Sequence, residues 1–261
     1  MRRVPLLSCV LWTSLAVGCG DDEPIFVDAA PPALDASLAT AEFAATLTME
    51  ADCGVASPPT VDLTITNTGT EPLVVSGASA TGGFTVTTAE PLTIAPAGTG
   101  VLTVRPPAAV IGTDLGGTTK TGVLSFTTNE TGAPTRTVDL ASTINGANLV
   151  LADREDQPLT MLSFAAASGC PAPTTVRVRN TGNRDASLDD PSASGFGFGG
   201  FSPSSFVPAQ GSVQHTVSVF TLGPCSGTAT VSYEATGTVC TAPLALPTTF
   251  TLPGSSGCFC S

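Results

Sequence analysis

Eight cysteines are the residues of this 261-residue chain whose type and spacing most directly predict chemistry. They are Cys9, Cys19, Cys53, Cys170, Cys225, Cys240, Cys258 and Cys260. The first two belong to an apolar N-terminal segment, so six remain for the folded part. Six cysteines in an exported chain predict three disulfides, with fifteen possible connectivities. Clustered thiols could instead bind zinc, but the sequence has no paired Cys-x-x-Cys knuckles, and we therefore favour disulfides.

His215 is the only histidine, so a His-rich metal site is impossible. It shares one face of a predicted strand with Val213 and Val217, which favours a hydrogen-bonded core histidine over a catalytic base. A catalytic base would need an orienting acid and a nucleophile, and the sequence has no Gly-x-Ser-x-Gly elbow. We therefore predict no catalytic residues and no cofactor.

Three acidic residues, Asp153, Glu155 and Asp156, follow the first predicted strand of the second half of the chain. Carboxylate oxygens between tandem domains can bind calcium, and Asp52 and Asp62 are candidates to approach the same place. No spaced calcium motif is present, so a solvated charge cluster is the favoured interpretation.

The segment from Gly195 to Phe201 is unusual because it alternates glycine with phenylalanine. Phe196, Phe198 and Phe201 could form an exposed aromatic edge that stacks on a sugar or receives a partner strand. Packing of these rings in a core is the favoured alternative.

The N-terminal residues predict an export signal. Arg2 and Arg3 precede a mostly apolar segment, Val4 to Val17, that is too short to span a membrane. The segment ends Leu15-Ala16-Val17-Gly18-Cys19, which resembles the lipobox of bacterial lipoproteins, although the preferred Leu stands one position early. We therefore expect residues 1–18 to be a signal peptide and Cys19 to carry the lipid that anchors the chain to a membrane.

Composition excludes several classes of protein. The chain has 21 acidic residues against nine Lys and Arg, and its formal net charge is −12. This balance argues against nucleic-acid binding, which requires basic side chains. Residues 19–40 are acidic and rich in Pro and Ala, which predicts a disordered tether.

The remaining sequence predicts short half-buried strands and contains an internal repeat. Val61, Leu63 and Ile65 alternate with polar residues, as expected for a strand with one face inward. The segment Val61–Gly69 ends Asn-Thr-Gly and matches Thr174–Gly182, and Asn67 and Asn180 are 113 residues apart. A second match joins Ile94-Ala95-Pro96-Ala97-Gly98 to Val207-Pro208-Ala209-Gln210-Gly211. A period this long indicates two whole domains, and about 100 residues fits an immunoglobulin-like sandwich.

These motifs resemble the hydin-type immunoglobulin-like module, also called ASH or major-sperm-protein-like. The strand ending Asn-Thr-Gly, the Ile-Ala-Pro-Ala-Gly segment and Leu124-Ser125-Phe126-Thr127-Thr128-Asn129 carry the resemblance. It implies an all-β chain with two tandem immunoglobulin-like β-sandwiches, at residues 41–146 and 147–255, followed by a Cys-containing tail at 256–261. The module has no shared active site, so the resemblance implies a binding or spacer role.

The topology implied by this resemblance narrows the disulfide pairing. Cys53 would precede the second strand of the first sandwich, at the end that faces the second sandwich. Cys240 would lie in the last hairpin of the second sandwich, at the end that faces the first. We therefore predict a Cys53–Cys240 bridge across the junction. Cys170 and Cys225 would pair with Cys258 and Cys260 in either order, with a Cys170–Cys225 bridge as the alternative.

The sequence predicts a non-catalytic, lipid-anchored protein of the bacterial cell envelope, at the outer membrane or cell surface. Its role would be that of a spacer or an interaction module for protein or polysaccharide. The alternatives are a scaffold subunit of an envelope complex and, less favoured, a hydrolase of envelope polymers.

Overall fold

The computed structural model describes residues 39–189, 192–195, 198–199, 205–219, 221–223, 225–252 and 258–260. All of them belong to one compact unit, Ser37–Ser261. The described residues form 22 strands and no helix, so the predicted all-β class is confirmed. None of these residues forms a helix suited to crossing a bilayer. Two β-sandwiches follow one another along the chain, as the sequence predicts.

The first sandwich contains nine strands in two sheets. Its strands are β1 (Ala41–Glu42), β2 (Thr46–Asp52), β3 (Val61–Asn67), β4 (Leu73–Ala80), β5 (Thr85–Val86), β6 (Leu92–Ile94), β7 (Thr99–Arg105), β8 (Thr119–Thr128) and β9 (Thr135–Asn145). One sheet has the order β1-β3-β7-β5, and the other has the order β2-β9-β8-β4-β6. Pairing is antiparallel except between β2 and β9, which are parallel.

The second sandwich repeats the two-layer arrangement with thirteen described strands. Its strands are β10 (Leu149–Ala152), β11 (Leu162–Ala165), β12 (Thr174–Asn180), β13 (Ala186–Leu188), β14 (Ser192–Gly195), β15 (Phe198–Gly199), β16 (Ser205–Val207), β17 (Ser212–Val219), β18 (Thr221–Gly223), β19 (Ser226–Tyr233), β20 (Ala235–Thr236), β21 (Leu244–Thr251) and β22 (Cys258–Cys260). One sheet has the order β10-β12-β17-β15. The opposite layer is divided into β11-β21-β19-β14 and β16-β13-β20.

Alternating apolar residues build the core of each sandwich. In the first, Leu63, Ile65 and Leu102 are at most 1% exposed, which confirms the faces predicted from the pattern. In the second, Val176 and Val178 occupy the equivalent places in β12 and are fully buried. Each core therefore forms between the two layers of its own sandwich, and the sandwiches can be compared position by position.

The Asn-Thr-Gly repeat has the same structural role in both sandwiches. The Asn67 amide donates to the carbonyls of Glu71 and Ile94, at 2.8 and 3.0 Å, and its oxygen accepts the amide of Gly69. Asn180, at 1% exposure, donates to Arg184 and Val207 and accepts the amide of Gly182. A buried asparagine thus satisfies the backbone where the strand ends, which explains why the motif recurs.

Candidate functional site

The junction between the sandwiches is closely packed and covalently linked. Strand β9 ends at Asn145 and β10 begins at Leu149, so only Gly146, Ala147 and Asn148 connect them. All three connecting residues are buried. A flexible interdomain linker would be exposed and polar, so this connection belongs to the packed structure.

A disulfide joins Cys53 and Cys240 across the junction, and this is the pair that the implied topology selects. The two residues are 187 positions apart, and their Cα atoms are separated by 5.1 Å. The backbone amide of Cys53 donates to Asn145 and that of Cys240 donates to Ala147, at 3.0 and 2.9 Å. Cys53 is 7% exposed and Cys240 is fully buried, so the bond is shielded by both sandwiches.

Asn148 ties a loop of the first sandwich to the second. Its side-chain oxygen accepts the amide of Gly116 at 2.8 Å, and its side-chain nitrogen donates to the Gly116 carbonyl at 3.0 Å. Its own backbone amide donates to the Asn180 side chain, and its carbonyl accepts the amide of Thr181. Asn148 is 4% exposed, and breaking this paired contact would leave buried polar groups unsatisfied.

A second polar network crosses the junction beside the first. The side chain of Asn183 accepts the amide of Gly146 and donates to the Asn145 side chain, at 3.0 and 2.9 Å. Asn145 in turn donates to Glu50 at 2.9 Å. Arg184 also approaches Glu50, at 3.5 Å, but both side chains are exposed and this ion pair adds little.

Three glycines allow the backbones to approach closely at this junction. A Cβ on Gly116 or on Gly182 would overlap the carbonyl oxygen of Gly146. A Cβ on Gly146 would overlap the sulfur of Cys240. Larger residues at these positions would therefore push the two sandwiches apart.

The loop of residues 106–118, here called the junction loop, lies against the last hairpin of the second sandwich. The Gly112 amide donates to the Cys240 carbonyl at 2.6 Å. Asp114 accepts the amide of Val110 and pairs with Lys120 at 2.8 Å, which holds the loop in shape. Burial raises the pKa of Asp114, but hydrogen bonds from Lys120 and Val110 and the Lys120 charge outweigh this effect and lower it below its ordinary value.

A cleft of about 400 Å³ opens between the junction loop and this hairpin. Its apolar lining includes Ile111, Leu149, Val239, Ala242, Pro243 and Leu244. Two exposed apolar residues of the first sandwich are chain neighbours of residues at this site. Val110 precedes Ile111, and Val55 follows Gly54, against which Ile111 lies; they are 54% and 40% exposed.

His215, the residue weighed as a catalytic base, lies in the core of the second sandwich. His215 is fully buried in β17, opposite Val176, and its ring centroid lies 5.5 Å from that of Tyr233. Burial raises the pKa of Tyr233 to about 12. His215 therefore occupies the inward core position that its strand pattern predicts.

The acidic residues considered for calcium do not form a ligand set. Asp153 accepts the amides of Glu155 and Gln157, at 2.9 and 2.8 Å, and so closes a turn. Asp156 pairs with Arg177 at 2.7 Å. No three His, Cys, Asp or Glu side chains are placed to hold a metal ion in the part of the chain that the structure describes.

Other predicted residues are only partly described. Cys170 and Cys225 are each in a disulfide. Their predicted pairing with Cys258 and Cys260 involves side chains outside the described residues, although the backbone of β22 pairs with β18, next to Cys225. Phe196 and Phe201 lie outside the described residues, as does Cys19. Only the backbone of Phe198 is described, and it pairs with Val219.

No family model matches the chain, and no curated protein matches it. Among solved structures, the chain is similar to a protein of unknown function from Porphyromonas gingivalis, with 14% identity, a TM-score of 0.32, and coverage of 81% of this chain and 99% of that one. The CupB2 chaperone of Pseudomonas aeruginosa matches with 14% identity, a TM-score of 0.31, and coverages of 79% and 97%. The periplasmic chaperone SfaE matches with 12% identity, a TM-score of 0.32, and coverages of 82% and 100%. Likeness at this level supports no inference about function.

These comparisons correct the family recognition made from the sequence. The resemblance to a lipoprotein with tandem hydin-type domains is wrong, because no family model supports it and the similar structures include chaperones instead. The Asn-Thr-Gly motif misleads because a buried asparagine at a strand end solves a hydrogen-bonding problem common to such sandwiches. The lipid anchor at Cys19 has no support from these findings.

The sequence interpretation missed the Asn148 contact and the junction cleft. Both depend on residues far apart along the chain, such as Gly116 and Asn148 or Ile111 and Ala242. The available signal was the shortness of the segment Asn145-Gly146-Ala147-Asn148, which joins two predicted strands without room for a flexible linker.

Proposed function

We propose that this chain is a non-catalytic, exported protein of the cell envelope whose two sandwiches act as one rigid spacer or interaction unit for protein or polysaccharide. The observation that carries the proposal is the junction. It combines a disulfide, the Asn148 contact and a buried three-residue connection. A protein whose two domains only needed to be tethered would require none of these.

The cysteines support the exported location. Cys53, Cys170, Cys225 and Cys240 are all disulfide-bonded. Such bonds persist in oxidising compartments and are rare in the cytosol. The non-catalytic role is supported by the buried position of His215 and by the use of Asp153 and Asp156 in local structure.

Cross-linking in intact cells tests this function. Lys120 is the only lysine, and it pairs with Asp114, so the reagent must target carboxylates. After purification without reductant, mass spectrometry should find recurrent links from this chain to one envelope protein or polysaccharide. Small-angle X-ray scattering of the purified chain should fit one rigid two-domain particle. Absence of recurrent links would overturn the interaction role, and scattering from freely moving domains would overturn the rigid unit.

A further inference from the structure

The junction cleft combines an apolar floor with a negative rim. Glu234 is exposed, lines the cleft, and makes no ion pair with the described residues. Asp189 lies beside it, just beyond the paired strands β13 and β20, because the Asp189 amide donates to the Glu234 carbonyl at 3.0 Å. Asp189 is also exposed. The described residues that line the cleft include no Lys, Arg or His. The charge of this rim is therefore uncompensated from within the cleft.

The apolar surface is larger than a small ligand needs. Val110 and Ile111 are 54% and 49% exposed, Ile111 lines the cleft, and Val55 stands next to Gly54, on which Ile111 packs. Exposed apolar residues that are grouped in this way, beside a cleft, are typical of a surface that receives a protein segment. The volume of about 400 Å³ can hold one or two apolar side chains of that segment.

The cleft is also held open before any partner arrives. Cys53, which the disulfide ties to Cys240, forms part of its wall, and the Gly112–Cys240 hydrogen bond fixes the junction loop against the hairpin. A preformed site loses less conformational entropy on binding than a flexible one.

From these observations we propose that the junction cleft binds a segment of another protein that presents an apolar side chain next to a Lys or Arg. The apolar side chain enters the cleft beside Ile111 and Val239, and the cation pairs with Glu234 at the rim. This inference deepens the interaction role proposed above and rests on it.

A second copy of this chain fits the cleft less well. A copy would bring the same excess of acidic side chains, with a formal net charge of −12, so like-charge repulsion opposes its approach to the negative rim. Charge complementarity therefore favours a different, basic protein over self-association.

Fluorescence anisotropy with three labelled peptides tests the proposal on the purified, oxidised chain. The probes are a short peptide that alternates Phe with Lys, one that alternates Phe with Glu, and one that alternates Ser with Lys. We expect the first to bind and the other two to bind at least about tenfold more weakly. The proposal would be overturned if the Phe/Glu peptide or the Ser/Lys peptide bound as tightly as the Phe/Lys peptide.

Matched variants locate the binding. Ile111→Ser should weaken binding of the Phe/Lys peptide about tenfold. Met161→Ser, which changes a residue of similar exposure outside the cleft, should leave the affinity unchanged. Glu234→Gln should reduce the preference for Phe/Lys over Phe/Glu, and Glu71→Gln, another exposed carboxylate, should leave it unchanged. Equal effects of Ile111→Ser and Met161→Ser would overturn the assignment to the cleft.

Other occupants give different results. Competition by hexylamine as strong as that of the Phe/Lys peptide would show a small-amine site, and a dimer in sedimentation that Ile111→Ser abolishes would show a self-interface. Either outcome overturns the proposal. Failure of this inference is distinguishable from failure of the proposed function. A partner that is cross-linked in cells to another surface would contradict binding at the junction cleft but would still support the interaction role.

Discussion

Glu130 shows how a single charge is stabilised at the edge of the first sandwich. It is 7% exposed, and its carboxylate accepts two hydrogen bonds from Arg136, at 2.8 and 2.7 Å. The Ala41 amide and the Thr128 hydroxyl each donate to it at 2.8 Å. Burial raises the pKa of Glu130, but these hydrogen bonds and the Arg136 charge outweigh burial and hold the pKa below its ordinary value of 4.5.

This depressed pKa predicts a pH dependence of stability. A carboxyl group whose pKa is lower in the folded state stabilises that state above its unfolded pKa, and the contribution is lost as the pH falls through the folded value. Glu130→Gln should therefore lower the free energy of unfolding at pH 7 by about 1–3 kcal/mol. The difference from the wild-type chain should shrink below a pH of about 4.

Urea unfolding across this pH range measures the effect, and Glu42→Gln is the matched control because that side chain is exposed on β1. The control should be nearly neutral at every pH. A Glu130→Gln defect that stays constant down to acid pH would show that packing, and not the charge, stabilises this edge.

At the scale of elements, the sequence pattern is informative where the physics is local. The alternation in β3 predicts the buried faces of Leu63 and Ile65, because a strand side chain has only two directions. The repeat predicts that Asn67 and Asn180 end equivalent strands. In the second sandwich, one layer is divided into two sheets, β11-β21-β19-β14 and β16-β13-β20. This division is not predictable from the alternation of apolar and polar residues, because it depends on which strands pair in the tertiary structure.

Nothing in the sequence distinguishes the glycines of the junction from ordinary turn residues. The structure gives Gly116, Gly146 and Gly182 another role, because a Cβ at any of them would overlap backbone or sulfur atoms of the opposing segment. The contacting residues are remote from one another along the chain. The close approach of two such segments depends on the tertiary structure and cannot be predicted from either segment alone.

Gly146→Ala tests the importance of this close approach. The new methyl would collide with the Cys240 sulfur, so we expect a loss of about 2–4 kcal/mol in the free energy of unfolding. Gly132→Ala is the control for steric overlap: nothing lies within 4 Å of its Cβ position, so its cost is the backbone strain of a positive φ of 88°, about 1–2 kcal/mol. Equal losses in thermal or urea unfolding would mean that the junction yields easily to an added methyl group.

At the scale of the whole molecule, the disulfide and the Asn148 contact are two separate fastenings of the junction, in addition to the Asn183 network and the Gly112–Cys240 hydrogen bond. The disulfide closes a loop of 187 residues, which in the chain-entropy model corresponds to an upper value of about 5 kcal/mol. The Asn148 side chain adds two hydrogen bonds to Gly116 on the other side of the connection. The strand order implied by the resemblance selects Cys53 and Cys240, whereas the partner of Asn148 is not predictable, because it is the Gly116 backbone, which lies 32 residues away along the chain.

Two fastenings predict that neither alone controls the arrangement of the domains. Cys53→Ser combined with Cys240→Ser should lower the free energy of unfolding by up to about 5 kcal/mol, yet leave the scattering profile of the native state unchanged. Asn148→Ala should cost about 2 kcal/mol and also preserve the profile. Only the triple variant should show an increased radius of gyration, because the short buried connection can then rehydrate and bend.

Small-angle scattering and urea unfolding of these variants, measured together, separate fastening from folding. Asn129→Ala is the control for Asn148→Ala, since its side chain bonds Val74 and Pro72 within the first sandwich and does not reach the junction. It should destabilise without changing the scattering of any variant. If the disulfide variant alone already separates the sandwiches, the polar contacts at the junction are consequences of the covalent bond and not a second fastening. The junction cleft would then exist only in the oxidised protein, and binding of the Phe/Lys peptide should disappear with the disulfide.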